Sequence, residues 1–216
     1  MYSSFDIIMF IIGGIFLLVW LLFFLKGKKY NALFDVLEEN EYPFKEIYGL
    51  GYAMMETINY KYKSKKDRET RKLIDVLYGE KYEDYYIRVI YAQKVTLSFT
   101  VFVLGLSLYG LANDILVVAV VAAMSFAIYV YFGQQIGEKI EKRSSEIIGD
   151  FSEIVSKLAL LTNAGMILTE AWKTVAYTSD REIYKEMQKT VDDINNGMSD
   201  LDAFYEFGNR CVVVTL

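Results

Sequence analysis

Three runs of apolar residues without a charged side chain dominate the pattern of the chain. They cover residues 7–25, 95–112 and 115–132, which are 19, 18 and 18 residues long. A helix rises about 1.5 Å per residue, so each run is of the length that crosses a hydrocarbon core of roughly 30 Å. The sequence therefore predicts a transmembrane helix in residues 1–25 and a transmembrane helical hairpin over 95–132. A buried helix of a soluble core remains the alternative for the first run.

Basic residues flank the three runs on one side of the membrane only. They follow the first run, precede the second and follow the third: Lys26, Lys28, Lys29, Arg88, Lys94, Lys139, Lys142 and Arg143. The opposite ends carry Asp6 and Asp114 and no basic residue. Because basic residues mark the cytoplasmic side, the N-terminus is predicted outside and residues 26–94 and 133–216 in the cytoplasm. A cleaved signal peptide would instead carry positive charge before its apolar stretch.

Residues 26–94 are predicted to form a cytoplasmic helical linker region. Pro43 and the segment Gly49-Leu50-Gly51 are expected to break the chain, and an apolar stripe predicts a helix from Ser64 that stops at Gly79. A further helix is expected to start near Tyr82 and to run into the second span. A basic cluster could meet anionic lipid or an acidic partner, or could be a solvated face. Its members are Lys61, Lys63, Lys65, Lys66, Arg68, Arg71 and Lys72.

Residues 133–216 have the pattern of short amphipathic helices, which predicts an antiparallel helical bundle. One stripe continues the third span and ends at Asn163-Ala-Gly165. Its members are Ile136, Ile140, Ile147, Phe151, Ile154, Leu158 and Leu161. A short helix follows with Ala171, Trp172 and Val175 inward. Two more are predicted to open at a Ser179–Glu182 capping box and at Ser199 with Asp202, the last with Leu201, Phe204 and Phe207 on its inner face.

Composition and charge narrow the chemistry. The chain is 54% hydrophobic and 24% charged, and it contains no His and one Cys. The commonest general base and metal ligand is therefore missing, and Cys211 is interpreted as a small core residue. No catalytic, metal-binding or cofactor-binding residues are predicted, and the chain is not expected to be an enzyme. The charge-free spans also lack the polar groups that transporters need.

The net charge of −5 lies entirely in residues 133–216, which contain 14 acidic and 9 basic side chains. This balance argues against a nucleic-acid partner. It predicts an acidic surface that meets a protein partner, with contributions from Glu138, Glu141, Glu146, Asp192 and Asp193. Ordinary solvation of the helices is the alternative for each of these carboxylates.

Four segments of the second half carry a resemblance to a known family: Asp150–Met166, Glu170–Trp172, Ile194–Gly197 and Asp202–Gly208. They resemble the first half of the type II secretion F-domain, the cytoplasmic helical bundle of inner-membrane platform proteins in type II secretion systems and type IV pili. Residues 78–94, which lead into the hairpin, are similar to the TadC-type platform protein of Tad or Flp pilus assembly. The family places a small hydroxyl residue two positions after the glycine, where this chain has Ile167, so Thr169 is expected to cap the next helix instead.

The resemblance implies an all-α, multi-pass inner-membrane protein whose partial F-domain couples a cytoplasmic ATPase to pilin assembly or protein secretion. The implied partners are that ATPase, a second platform subunit in a homo- or hetero-oligomer, a pilin or pseudopilin, and membrane lipids. Since the family bundle continues through two more helices and a final span, the chain is expected to be truncated after Arg210. The alternatives are a membrane-anchored sensor or enzyme fragment, whose functional domain lies beyond the C-terminus, and a helical-bundle receptor subunit unrelated to secretion.

Overall fold

A computed structural model describes residues 4–112 and 114–211, and these residues form eight α-helices and no strand. Asn113, part of the predicted hairpin turn, and the apolar tail 212–216 lie outside the described residues. The chain divides into two compact units, unit 1 (residues 1–136) and unit 2 (residues 137–216). The helices are α1 (Ser4–Gly27), α2 (Tyr48–Ile58), α3 (Lys65–Tyr78), α4 (Glu83–Ala112), α5 (Ile115–Asn163), α6 (Leu168–Ala176), α7 (Glu182–Asn195) and α8 (Asp200–Arg210). Short 3₁₀ helices cover Lys28–Leu33, Lys45–Ile47 and Glu80–Tyr82.

Three helices are long and apolar enough to span a membrane, namely α1, α4 and α5. In the most apolar 18-residue window of α1 no residue is buried, whereas 56% of the corresponding window of α4 is buried. Most exposed residues of α1 are large and apolar, including Ile11 and Leu22, which are 57% and 67% exposed. Such a surface suits lipid rather than water, and α4 is the helix around which unit 1 is built.

Glycines let α2 approach both α1 and α4. A Cβ on Gly49 would lie 2.3 Å from the carbonyl oxygen of Gly27 at the end of α1. A Cβ on Gly51 would lie 2.5 Å from the carbonyl oxygen of Ala92 in α4, and the Gly51 amide donates a 2.9 Å hydrogen bond to the hydroxyl of Thr96. The prediction that Gly49–Gly51 breaks the chain is therefore wrong. Both glycines lie inside α2, where the missing side chains permit two helix crossings.

The antiparallel contact of α4 with α5 rests on one close approach and a pair of serines. A Cβ on Gly105 would lie 2.4 Å from Val121, so the helices touch at the glycine. The hydroxyls of Ser98 and Ser125 lie 2.9 Å apart, and each also donates to the carbonyl oxygen of the other residue. Both serine hydroxyls thus find a partner between the helices, which lowers the cost of polar groups in an apolar setting.

In unit 2, α6, α7 and α8 pack with the last turns of α5 around one apolar core. Ile147 and Ile154 of α5 contribute to it, and Met187 of α7 is fully buried. Trp172 of α6 contacts the rings of Phe204 and Phe207 edge-on, both at 4.8 Å between centroids. Its indole N–H donates to the carbonyl oxygen of Met187 at 3.2 Å. The prediction of an inward Ala171, Trp172 and Val175 is confirmed.

The turns and caps of unit 2 agree in part with the sequence. Gly165 and Gly197 adopt positive φ angles of 93° and 97°, which ends α5 and α7 as predicted. Ser199 caps α8, because its hydroxyl accepts the amide hydrogen of Asp202 at 3.2 Å.

Two predicted caps are wrong. The helix that was to open at a Ser179–Glu182 box starts instead after Arg181, and the carboxylate of Glu182 pairs with Lys185 at 2.9 Å. The cap position of α6 is Ile167 and makes no side-chain bond. Thr169 lies inside α6, so its hydroxyl cannot cap the helix and donates to Asp200 instead.

Two residues predicted to face inward are exposed. Phe151 is 55% and Leu201 is 80% exposed. Phe151 lies at the edge of the face of α5 that packs on the core. The other helices of unit 2 cover Ile147 and Ile154 on that face but leave Phe151 exposed. In α8 the inward positions are Ala203, which is fully buried, and the two phenylalanines.

Candidate functional site

A buried carboxylate, Asp67 of α3, forms a polar centre in unit 1. The side chain is 0% exposed, and it closes the capping box of α3 with Ser64. Its second oxygen accepts a 2.9 Å hydrogen bond from the Tyr60 hydroxyl, and its first accepts one from the hydroxyl of Tyr91 on α4. Burial alone would raise the pKa of Asp67, but the hydrogen bonds from Tyr91, Ser64 and Tyr60 outweigh it and lower the pKa.

Lys94 lies beside this centre, within a group of tyrosine rings. Its ammonium is 3.4 Å from the ring centroid of Tyr91 and 4.9 Å from that of Tyr129, and the residue is only 4% exposed. Aromatic faces attract a cation, and the attraction is stronger when water is excluded. Lys94 was counted from the sequence among the basic flanks of the spans. In the structure Lys94 also links α4 to α5, because its ammonium lies over the ring of Tyr129.

The arrangement around Asp67 fits a structural clamp. Arg71, one turn further along α3, binds Glu83 at 2.6 Å and Asp84 at 2.7 Å in the first turn of α4. The clamp thus joins α3 to α4 at two places. In residues 4–112 and 114–211, no three His, Cys, Asp or Glu side chains converge as metal ligands would.

A pocket of about 210 Å³ lies at the start of α4, and Asp84, which pairs with Arg71, is among its lining residues. Its polar rim includes Arg88, whose guanidinium donates a 3.1 Å hydrogen bond to the Tyr52 hydroxyl, and Tyr85, whose hydroxyl donates to the carbonyl oxygen of Leu33. Its floor is apolar and includes Phe34 and Val89. Such a volume is below the usual range for small-molecule sites, about 300–1,000 Å³.

Unit 2 contains an ion-pair network centred on Glu186, which is 6% exposed. The carboxylate lies 3.3 Å from Arg143 of α5, 2.9 Å from Lys189 of α7 and 3.1 Å from Arg210 of α8. Arg210 also pairs with Asp193 at 3.0 Å. Three helices of the unit therefore meet at one buried carboxylate.

The structure places the five predicted partner-binding acids on two helices. Glu138 and Glu141 are exposed on α5, and Asp192 is exposed on α7. Within the described part of the chain, none of these three forms an ion pair. Glu146 is half-buried and close enough to Lys185 to raise the pKa of that lysine, behind the larger effect of Glu182. Asp193 is half-buried, and its charge is compensated by Arg210.

Sequence reasoning missed that three carboxylates are buried, namely Asp67, Glu186 and Asp150, the last of which pairs with Arg181. The pattern Ser64-x-x-Asp67 resembles a capping box and could have indicated Asp67, but nothing local predicts its tyrosine partners. Glu186 lies between Tyr184 and Met187 in a helix whose apolar stripe was recognised, so its place on the inner face was detectable. Its partners Arg143 and Arg210 are more than 20 residues away in sequence.

Comparison of the chain with protein-family models, with curated proteins and with solved structures finds no match.

Proposed function

We propose that this protein is a membrane platform that presents an acidic helical unit to a cytoplasmic partner. In this proposal α1, α4 and α5 cross the membrane, with the N-terminus outside. Residues 26–94 and 133–216 lie in the cytoplasm, in agreement with the distribution of basic flanks. The partner is a secretion or pilus ATPase, and the machine is of the type II secretion or Tad pilus class. The platform collects pilin or pseudopilin subunits and works with a second platform subunit.

The segments that carry the family resemblance have conformations that support the proposal. The turn at Ala164-Gly165 ends a long helix, and the turn at Asn196-Gly197 separates two short ones. Trp172, in the Glu170–Trp172 segment, lies in the core of unit 2. These segments thus contribute helix ends and a core residue to unit 2.

The observation that carries the proposal is the difference between compensated and uncompensated acids in unit 2. Asp150, Asp193 and Glu186 are paired with arginines inside the unit. Glu138 and Glu141, in contrast, are exposed one helical turn apart and have no ion pair within the described residues. Uncompensated charges add little to folding, but they steer a basic partner and raise its association rate.

The test is crosslinking in native membranes, followed by identification of the products by mass. We expect an ATPase of the secretion class and pilin-like chains, and we expect deletion of the gene to remove surface filaments. The double variant Glu138→Gln with Glu141→Gln should reduce the ATPase crosslink. Glu153→Gln is the matched control, because Glu153 is exposed on the same helix but paired with Lys157 at 2.6 Å.

Recovery of neither an ATPase nor a pilin-like protein, together with unchanged filaments after deletion, would refute the platform function. Orientation is tested separately with reporter fusions at positions 60 and 160, both of which should report the cytoplasm. An extracytoplasmic report at either position would contradict the topology.

A further inference from the structure

The part of α5 that belongs to unit 2 carries two seven-residue repeats, and only one of them has a partner. The first repeat is Ile140, Ile147, Ile154 and Leu161, and its last three members contact the core of the unit. In the second repeat, small residues alternate with β-branched residues. All of them are exposed except the last, which is half-buried. Its members are Ser145, Ile148, Ser152, Val155, Ala159 and Thr162. We call this second repeat the outer seam.

The outer seam has the spacing of a coiled-coil interface. Its positions alternate by 3 and 4 residues, so they stay on one side of a helix that winds around another. Ile148 and Val155, at one of the two alternating positions, are 57% and 47% exposed, and the neighbouring Phe151 is 55% exposed. Apolar side chains at these positions gain free energy when a helix covers them, at about 25 cal/mol per Å².

Charge is absent from the outer seam and from both of its borders. The flanking positions on one side are Gly149, Ser156 and Asn163, and on the other Ser144, Phe151 and Leu158. The charged residues of this stretch, Glu146, Asp150, Glu153 and Lys157, step by 4, 3 and 4 and form a stripe away from the seam. The Ser156 hydroxyl donates to the carbonyl oxygen of Ser152, and that of Thr162 to Leu158, both at 2.8 Å. These hydroxyls can leave water without losing their hydrogen bonds.

We propose that the outer seam pairs with the outer seam of a second copy of this chain as a parallel two-helix coiled coil. Unit 2 has 14 acidic and 9 basic residues, so two copies repel each other through most of their surface. The outer seam is a surface where two copies meet without opposing like charges. Small residues at positions 145, 152 and 159 let the two helices approach closely, and Ile148 and Val155 then pack against their counterparts.

The expected strength of the pair is modest. A seam of 18 residues is about 27 Å long, and a single helix pair of that length buries less than the standard interface of about 1,600 Å². Two copies held in the same membrane are concentrated relative to free solution, which compensates for a weak interface. Since both copies are inserted in the same direction, each seam residue faces its own counterpart. The pairing does not depend on the platform function, because it needs no ATPase.

Disulfide crosslinking of the full chain in membranes tests the pairing. Two differently tagged copies are co-expressed with Cys211→Ser, and single cysteines are introduced as Ser145→Cys, Ser152→Cys or Ala159→Cys. We expect a dimer carrying both tags at all three positions, at least about tenfold more abundant than with Glu153→Cys or Asp192→Cys, since a coiled-coil pair brings only seam positions together. Both controls are exposed residues of unit 2 outside the seam.

A charge exchange at Val155 provides a second test. In the Ser152→Cys background, Val155→Glu in both copies should abolish the dimer, and Val155→Lys in both copies should do the same. Co-expression of one copy of each should restore it, because opposite charges then face each other.

No dimer at any seam position, equal dimer at Glu153→Cys, or a failure of the mixed pair to recover would overturn the proposal. Products that contain only a different protein would assign the seam to another partner, and would equally overturn pairing with a second copy.

Discussion

The cores of the two units are stabilised by different kinds of side chain and contact. Unit 1 is held by aromatic rings, by glycine-mediated helix crossings and by tyrosine hydroxyls that donate to one carboxylate. Unit 2 has a largely aliphatic core in which Trp172 packs against two phenylalanines, and ion pairs on Glu186 and Asp150 lie beside it. The difference corresponds to the surroundings that the two sequences suit. Where the apolar stretches of α4 and α5 meet, a close approach at Gly105 and the hydroxyls of Ser98 and Ser125 replace ion pairs, which are costly where water is scarce.

The largest effect is expected from filling the glycine crossing of unit 1. Gly51→Ala places a Cβ 2.5 Å from the carbonyl oxygen of Ala92 and the hydroxyl of Thr96, and backbone atoms cannot yield as a flexible side chain can. We expect a loss of about 3 kcal/mol or more in the free energy of unfolding, at or beyond the upper end of ordinary overpacking. The measurement is thermal unfolding of the full chain in detergent.

Gly208→Ala is the control for this prediction. Gly208 lies in α8 of unit 2, and a Cβ there meets nothing within 4 Å. The same change should therefore stabilise its helix by up to about 1 kcal/mol. Equal destabilisation by both variants would contradict the idea that close contact at Gly51 is what matters.

The second effect tests the ion pairs of unit 2. Glu186→Gln keeps the size of the side chain but removes the buried charge shared by Arg143 and Arg210, which keep only Glu182 at 3.7 Å and Asp193 at 3.0 Å. We expect destabilisation of unit 2 by about 2–3 kcal/mol, since a buried hydrogen bond between charged groups contributes about that much. Unfolding is followed by the fluorescence of Trp172 in a Trp20→Phe background.

The matched variant is Glu153→Gln, which removes an exposed ion pair with Lys157. A surface pair contributes about 0–1 kcal/mol, so this variant should unfold nearly as the parent does. If the two variants behave alike, the Glu186 network is not what holds the three helices together.

The third effect concerns the polar centre of unit 1. Asp67→Asn removes the charged acceptor of Tyr91 and the carboxylate of the capping box, so α3 should loosen by about 2 kcal/mol. Hydrogen–deuterium exchange of residues 65–78 should accelerate, whereas Glu69→Gln, on the exposed face of the same helix, should leave it unchanged. Faster exchange in both variants would show that the buried contacts of Asp67 are not what stabilises α3.

The lowered pKa of Asp67 gives this contribution a defined pH dependence. The carboxyl titrates below its ordinary value of 3.8 in the folded chain. Its stabilising effect is therefore complete above pH 3.8 and is lost as the pH falls through the folded-state pKa. The protection factors of the α3 amides in the parent, which correct exchange for its intrinsic pH dependence, should stay high at pH 5 and fall only in stronger acid.

Much of the helical framework could be predicted from the sequence, because it depends on local signals. The stripe before Gly79 and the turn at Gly165 mark helix ends through side-chain spacing and a positive φ angle. The glycines at 49 and 51 led to a wrong prediction. From the sequence alone, a glycine that breaks a helix cannot be told from one that lets a neighbouring helix cross closely. The partners of Asp67 and Glu186 depend on helices that are distant in the sequence. The acids at 138, 141 and 192 were identified as exposed candidates, but only the structure separates them from Asp193, which Arg210 compensates.

The smallest effect is on reactivity rather than stability, and it concerns Cys211 at the edge of the unit 2 core. Burial, assisted by the nearby Glu186, raises the pKa of the thiol to about 11 from an ordinary value of 9.0. At pH 8 the thiolate fraction is then about 100-fold smaller than for an ordinary thiol, and alkylation by iodoacetamide should slow accordingly. The control is Asn209→Cys in a Cys211→Ser background, since Asn209 is exposed at the end of α8, just before Cys211. The rate at Cys211 should rise with pH until about pH 11, and a rate at pH 8 equal to that of the control would show that the aliphatic core of unit 2 does not enclose this side chain.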